Sequence, residues 1–330
     1  LTMTKPQLTN TIVMVRPVDF TYNEQTAVDN RFQHRPKNLL TVTQDALQEF
    51  ANMVDKLRSA GINVLVLEAD QQRKSLSKHT TTPDAVFPNN WFSTTVDGGL
   101  LVYPMYTQNR RAERRVEDLT KLLIDAGLQV SDLQWVADED EGDQILEGTG
   151  AIVIDHIQQR LYGAQSERCH PLKFTQFAEQ NGYQEQYLFQ TSDPTGEAIY
   201  HTNVMMSIGE QFAVICDECF VDKNHYSEVK QSLKQGREVI EISYQQMSEH
   251  FCGNILQLRN DQGELVIVMS QNAYQGFSEQ QRNQLAQHGQ LIPCDINTIE
   301  SIGGGSARCM IAEIFLPKAS KVDNRFLCTA

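Results

Sequence analysis

Short apolar runs alternate along this chain with longer segments in which apolar residues recur every three or four positions. TIVMVRP reads as a strand, TQDALQEFANMVDKLRSAG as an amphipathic helix stopped by glycine, and INVLVLEA as the strand after it. A second unit opens with AVFPNNWFSTTVDGGLLVYPM, two strands around Asp97-Gly98-Gly99, and continues through the helical RRAERRVEDLTKLLIDAGL to the strand QVSDLQWV. A third starts with the hairpin ILEGTGAIVIDHIQQRLYGAQ and the helix HPLKFTQFAEQNG. A fourth runs from AIYHTNVMMSIGEQFAVICDECF through SEVKQSLKQG to REVIEISY. The last begins with GNILQLRNDQGELVIVMSQNAYQG, passes SEQQRNQLAQHG and LIPCDI, and ends in GGGSARCMIAEIFL.

A hairpin, a helix and a further strand, repeated every several tens of residues, indicate radial or solenoid assembly. Such short units cannot bury their apolar faces alone, so a ring of about five is expected. No Pro-, Gly- or Ser-rich linker interrupts the chain, and residues 1–330 are expected to form one catalytic domain. Polar residues at corresponding places would converge on the ring axis: Asp84, Asn89 and Asn90, then Glu147, then His201 and Asn203, and finally Asn254 with Cys309.

Composition narrows the function. Hydrophobic residues form 40% and charged residues 21% of the chain, as in folded globular proteins. A net charge of −14 argues against nucleic-acid binding, which needs clustered Lys and Arg. No stretch approaches the ~20 apolar residues of a membrane span, and LTMTKPQLTN lacks the succession of a secretory signal, so a cytoplasmic location is expected. Seven cysteines, an odd number in a large chain, fit reduced thiols better than a disulfide framework. Cys216 and Cys219 form a CxxC, but no second pair of ligands stands nearby, and two strand-end thiols beside a turn are the simpler reading.

Cys309 follows three glycines, which permit backbone turns and close approach of a ligand. Taken alone, it reads equally well as a small core hydrophobe. His201 interrupts the apolar IYHTNVMM and could transfer protons for a thiolate; without Cys309 as partner it reads as a core histidine. Glu147, between apolar residues and a glycine turn, could orient His201, accept from a substrate nitrogen or cap the turn. The other histidines lie in polar contexts or near helix starts.

Together these segments resemble the guanidine-modifying penteins, which include arginine deiminases, dimethylarginine hydrolases and amidinotransferases. PDAVFPNNW, LEGTG, SERC, YHTN and GGGSARCM resemble that superfamily's motifs in its order, over nearly the whole chain. The resemblance implies an α/β fold, a five-bladed propeller with pseudo-fivefold symmetry. It implies Cys309 as nucleophile, His201 as general acid and base, and Glu147 as the carboxylate beside them. It also implies Arg168 as the holder of a substrate carboxylate, Asp84 as a contact for the amino group, and an assisting arginine in NRRAER, Arg110 or Arg111. Asn203 is counted with the substrate contacts. No cofactor or metal is implied; the partner is a small amino acid, with a homodimer possible.

The chain departs from the guanidine enzymes at Asn89 and Asn90, where dimethylarginine hydrolases carry acids. A guanidinium offers only donors and calls for anionic acceptors, whereas a ureido group is neutral and carries a carbonyl oxygen. Amides in place of carboxylates therefore favour citrulline, and VMVRPVDF and PNNWFST resemble the citrulline hydrolase branch. The products would be ornithine, ammonia and carbon dioxide. The alternatives are an arginine deiminase or methylarginine hydrolase, an amidinotransferase, and a catalytically silent amino-acid-binding protein on the same scaffold.

Overall fold

A computed structural model describes residues 5–69, 80–136, 142 and 144–320. Residues 1–4 of LTMTKPQLTN and Cys328 lie outside that range. The strands are β1 (Thr11–Val15), β2 (Asn63–Leu67), β3 (Phe92–Thr94), β4 (Gly99–Val102), β5 (Asp132–Trp135), β6 (Ile152–Asp155), β7 (Arg160–Ala164), β8 (Glu185–Phe189), β9 (Met206–Ile208), β10 (Phe212–Cys216), β11 (Glu238–Ile242), β12 (Leu256–Arg259), β13 (Leu265–Ser270), β14 (Gln290–Cys294) and β15 (Ala312–Ile314).

Among the described residues they form five sheets of three, each with an antiparallel first pair and a parallel third strand. The middle strands (TIVMV, GLLV, RLYGA, FAVIC and LVIVMS) are almost wholly buried, which is why they read as near-continuous apolar runs. The third strands carry more polar residues, and β5 is exposed along its whole length. The helices that return the chain to each parallel strand bury one stripe. In Val42–Ser59 the stripe is Ala46, Phe50, Met53, Val54 and Leu57, at helical spacing.

One assignment is corrected. The last segment does not complete the fifth unit; β15 pairs antiparallel with β1, Thr11 opposite Ile314 and Val13 opposite Ala312. The fifth sheet is already complete with β12 to β14, while β1 would otherwise leave a row of backbone N–H and C=O groups unpaired. The first unit showed no hairpin in the sequence because its partner strand lies at the other end of the chain. The expected helix over 110–128 is also broken, into Gln108–Arg111 and Val116–Asp125, where the chain turns to bury Arg110 and Glu113.

Each core cluster joins neighbouring sheets. Val13, Val15 and Leu67 pack with Phe92, Leu100 and Val102; Leu101 and Tyr103 pack with Ile152 and Leu161. Val153 and Tyr162 share a cluster with Met206, Val214, Ile267 and Met269. Leu256, Leu258, Val266 and Val268 return to Ile12, Met14 and Val64. Contact thus runs from the fifth sheet back to the first.

Candidate active site

Five short turns, each just before the first strand of a sheet, bring the polar residues together. Asn89 and Asn90 lie in the turn Pro88–Asn90 before β3. Glu147 directly precedes the helical turn Gly148–Ala151 before β6, and His201 directly precedes Thr202–Met205, which contains Asn203, before β9. Asn254 precedes β12, and Cys309 lies in the turn before β15. The turn Gly148–Ala151 packs against both Pro88–Asn90 and Thr202–Met205. Glycine is required at its centre: a Cβ on Gly150 would fall 2.2 Å from Asn90 Nδ2 and 2.9 Å from His201 Nδ1. The amide and the imidazole therefore flank one glycine.

Glu147 is fully buried and joins three groups. His201 Nε2 donates to its Oε2 at 2.7 Å, Arg168 Nη1 donates to the same oxygen at 3.2 Å, and the Tyr106 N–H donates to Oε1 at 2.9 Å. Burial alone would raise the Glu147 pKa, but Arg168, His201 and Arg110 outweigh it and hold the carboxyl below its ordinary range. An ionised carboxylate only accepts, so His201 carries its proton on Nε2 and presents Nδ1 as the exchangeable nitrogen. Burial lowers the His201 pKa against the pull of Glu147, which favours the neutral ring.

Cys309 is 2% exposed. Its Sγ accepts from Asn254 Nδ2 at 3.3 Å and Asn203 Nδ2 at 3.4 Å, and its own N–H donates to Asn254 Oδ1 at 3.3 Å. Burial raises the thiol pKa, and hydrogen bonds from Ser306, Asn254 and Asn203 oppose the rise. Among the described residues no direct hydrogen bond joins Cys309 to His201; Asn203, on the same turn as His201, reaches the sulfur. Upstream, Ser306 Oγ donates to the buried Glu300 at 2.5 Å, anchoring the glycine loop.

The two asparagines form a chain. Arg110 Nη1 donates to Asn90 Oδ1 at 2.6 Å, and Asn90 Nδ2 donates to Asn89 Oδ1 at 2.9 Å. Asn89 Nδ2, fully buried, has no partner among the described residues. Of the two arginines singled out in NRRAER, Arg110 is the one at the centre, buried on Glu113 at 3.0 Å. Arg111 instead donates to the backbone carbonyls of Met105 and Tyr106.

A segment not singled out from the sequence completes the surroundings. Asn23 and Thr26 donate to Asp84 Oδ2 at 2.7 and 3.0 Å, leaving the buried Asp84 Oδ1 without a partner among the described residues. Asp29 takes Arg168 through two hydrogen bonds, at 2.8 Å from Nε and 2.5 Å from Nη2. Asn30 donates to Gly304 O at 3.2 Å, and the His34 N–H donates to Ser301 O at 2.7 Å. Residues 23–34 thus lie against Asp84, Arg168 and the glycine loop together. Asn, Thr and Asp within an irregular stretch carry no periodicity, so nothing in the sequence pattern marked them.

The Cys216 and Cys219 thiols are buried, 3.4 Å apart, at the end of β10 and in the turn after it. They lie in the core of the fourth sheet. The six described cysteines are free. No helix among the described residues is long and apolar enough to cross a membrane.

The chain matches the sequence profile of the family described as N,N dimethylarginine dimethylhydrolase, eukaryotic, over residues 16–316. No curated protein matches by sequence. Among solved structures, the chain is similar to the substrate-bound N-terminal domain of ArgZ, an arginine dihydrolase from the ornithine-ammonia cycle in cyanobacteria. The two share 15% identity and a TM-score of 0.65 over 92% of this chain and 97% of that one. AgrE with ornithine and NAD+ aligns at 14% identity and a TM-score of 0.67, over 94% of this chain and 40% of that one. This chain likewise spans 42% of full-length ArgZ. A dimethylarginine dimethylaminohydrolase variant, as an adduct with S-methyl-L-thiocitrulline, aligns at 14% identity and a TM-score of 0.63, over 93% of this chain and all of that one. The likeness to these structures is one of fold, and the profile match over residues 16–316 places the chain in the N,N-dimethylarginine dimethylhydrolase family of the pentein superfamily.

Proposed function

We propose that the chain is a cysteine hydrolase that cleaves the ureido carbon–nitrogen bonds of citrulline. The observation that carries this reading is the buried, unpartnered Asn89 Nδ2, an N–H donor where a guanidine enzyme would need an anionic acceptor. A ureido oxygen satisfies that donor; a guanidinium would set N–H against N–H. Asp84 Oδ1, an acceptor without a partner, suits the substrate ammonium, and Arg168 suits its carboxylate.

In the proposed reaction Cys309 passes its proton to His201, and the sulfur adds to the ureido carbon. The carbonyl electron pair moves onto the oxygen, where the Asn89 N–H receives it. Collapse restores the carbonyl and breaks one carbon–nitrogen bond as His201 returns the proton to the leaving nitrogen. Water then attacks the thiocarbamate carbonyl, with His201 taking its proton, and the carbon–sulfur bond breaks. The released carbamate falls apart, so citrulline and one water give ornithine, ammonia and carbon dioxide, whichever nitrogen leaves first.

We further read the five sheets as blades of a five-bladed propeller with pseudo-fivefold symmetry. The circuit of core contacts from the fifth sheet to the first and the convergence of the five turns support it.

Family membership favours a second reading, a guanidine substrate such as arginine or a methylated arginine. Purified protein incubated separately with citrulline, arginine and dimethylarginine, with ornithine and ammonia assayed, discriminates between them. Turnover of citrulline alone is expected; turnover of a guanidine compound without citrulline overturns the proposal.

A further inference from the structure

We propose that Arg110, held by Glu113, fixes which way the Asn90 and Asn89 amides point and thereby makes the site select a substrate with an oxygen at its reacting end. The inference rests on the ureido reading above and supplies its physical cause. An amide side chain has nearly the same shape in its two orientations, so position alone does not decide whether it offers oxygen or nitrogen. A neighbour that can only donate does decide it.

Arg110 is such a neighbour, since a guanidinium has five N–H groups and no acceptor. With Nη1 at 2.6 Å, Asn90 must turn its oxygen toward Arg110, because the reverse orientation would oppose N–H to N–H. The Asn90 nitrogen is then the donor facing Asn89, which must answer with its oxygen, at 2.9 Å. What remains is the Asn89 nitrogen, buried and unpartnered. Polarity passes from a fixed cation through two neutral amides to one N–H.

Arg110 cannot turn away to relax the arrangement. Its Nε lies 3.2 Å from Glu113 Oε1, its Nη2 lies 3.0 Å from Glu113 Oε2 and 3.0 Å from Phe87 O, and both side chains are almost fully buried. Its place at the centre is that of a positioning residue acting through Asn90. Were it absent, either amide could present oxygen, and a donor-only guanidinium would find an acceptor.

The test is the ratio of kcat/KM for citrulline to kcat/KM for arginine, measured on the full chain and two sets of variants. A ratio cancels the fraction of active protein, so a merely structural ion pair leaves it unchanged. The double variant Arg110→Met with Glu113→Leu, which removes both charges, is expected to lower the ratio about tenfold or more. Arg110→Lys keeps a donor for Asn90 and is expected to hold the ratio within about threefold. Should the double variant fail to fold, Arg110→Gln is the smaller change; it can donate or accept, and a fall in the ratio is again expected. A parent that prefers arginine sinks the ureido reading, and this proposal with it, before any variant is made. A parent that prefers citrulline, with the ratio unchanged in every folded variant, overturns the role of Arg110 alone.

Discussion

Two kinds of segment reach the centre of this molecule. Glu147, His201, Asn203, Asn254 and Cys309 come from turns that repeat, each poised before the first strand of a sheet. Asn23, Thr26, Asp29 and Asn30 come from an irregular stretch between β1 and the first long helix. The repeated turns hold their side chains between packed sheets; the irregular stretch holds its own chiefly by hydrogen bonds and one ion pair whose Asp29 side chain is 20% exposed. Under the proposed function the contrast divides the labour: bond making falls to the repeated turns, and the substrate's polar ends to the irregular stretch.

Removing a member of the packed set should therefore act on kcat. Cys309→Ala is expected to reduce turnover by ~10⁴-fold or more, since the other described thiol in these turns, Cys252, is buried on Ala273 O and does not share the Asn203 and Asn254 amides. The melting temperature should stay close to that of the parent. Residual turnover within about tenfold of the parent would remove Cys309 from the chemistry. Glu147→Gln comes next, at roughly 10²- to 10⁴-fold in kcat, because a neutral amide no longer fixes His201 with its proton on Nε2 or balances Arg168. A change confined to KM would show that Glu147 serves binding instead.

The same division explains what could be read in the sequence. The hairpin–helix–strand unit recurs with enough regularity that its turns could be aligned, and chemistry-bearing residues at matching places were therefore visible: Asn90, Glu147, His201 and Cys309. The pairing of β15 with β1 was not visible, because it joins strands near opposite ends of the chain. Nor was the choice between Arg110 and Arg111, adjacent residues of one type, which depended on the break in the helix at Glu113. Asp29 was the hardest to see. Its importance comes entirely from Arg168, a partner more than a hundred residues away.

Asp29→Asn sharpens the comparison from the irregular side. Under the proposed function, Asp29 and the substrate carboxylate compete for the Arg168 guanidinium, so neutralising Asp29 frees that cation for substrate. A several-fold fall in KM is expected, of the size of one weakened partly exposed ion pair, with kcat changed less than about twofold. An unchanged KM would mean that the substrate binds without displacing Asp29. A lower kcat at fixed KM would place this segment with the packed turns and erase the contrast.

The smallest expected effect is a shift in a pH profile, and its sign follows from the surroundings of the sulfur. Burial holds the Cys309 thiol above its ordinary pKa, while Ser306, Asn254 and Asn203 pull it down by hydrogen bonding to the thiolate. The reactive form is the thiolate, so kcat/KM for citrulline should rise with pH on the alkaline side of neutrality. Replacing Asn254 by Leu removes one stabilising N–H and returns nothing to the sulfur, so the thiol pKa rises and the same limb moves to higher pH. At fixed neutral pH this variant should therefore lose activity that a more alkaline buffer partly restores. Asp29→Asn, whose parent carboxylate bonds Arg168 and not the sulfur, should leave the limb in place. A limb that moves with Asp29 but not with Asn254 would mean that a group other than Cys309 controls it, and that the irregular segment tunes the chemistry after all.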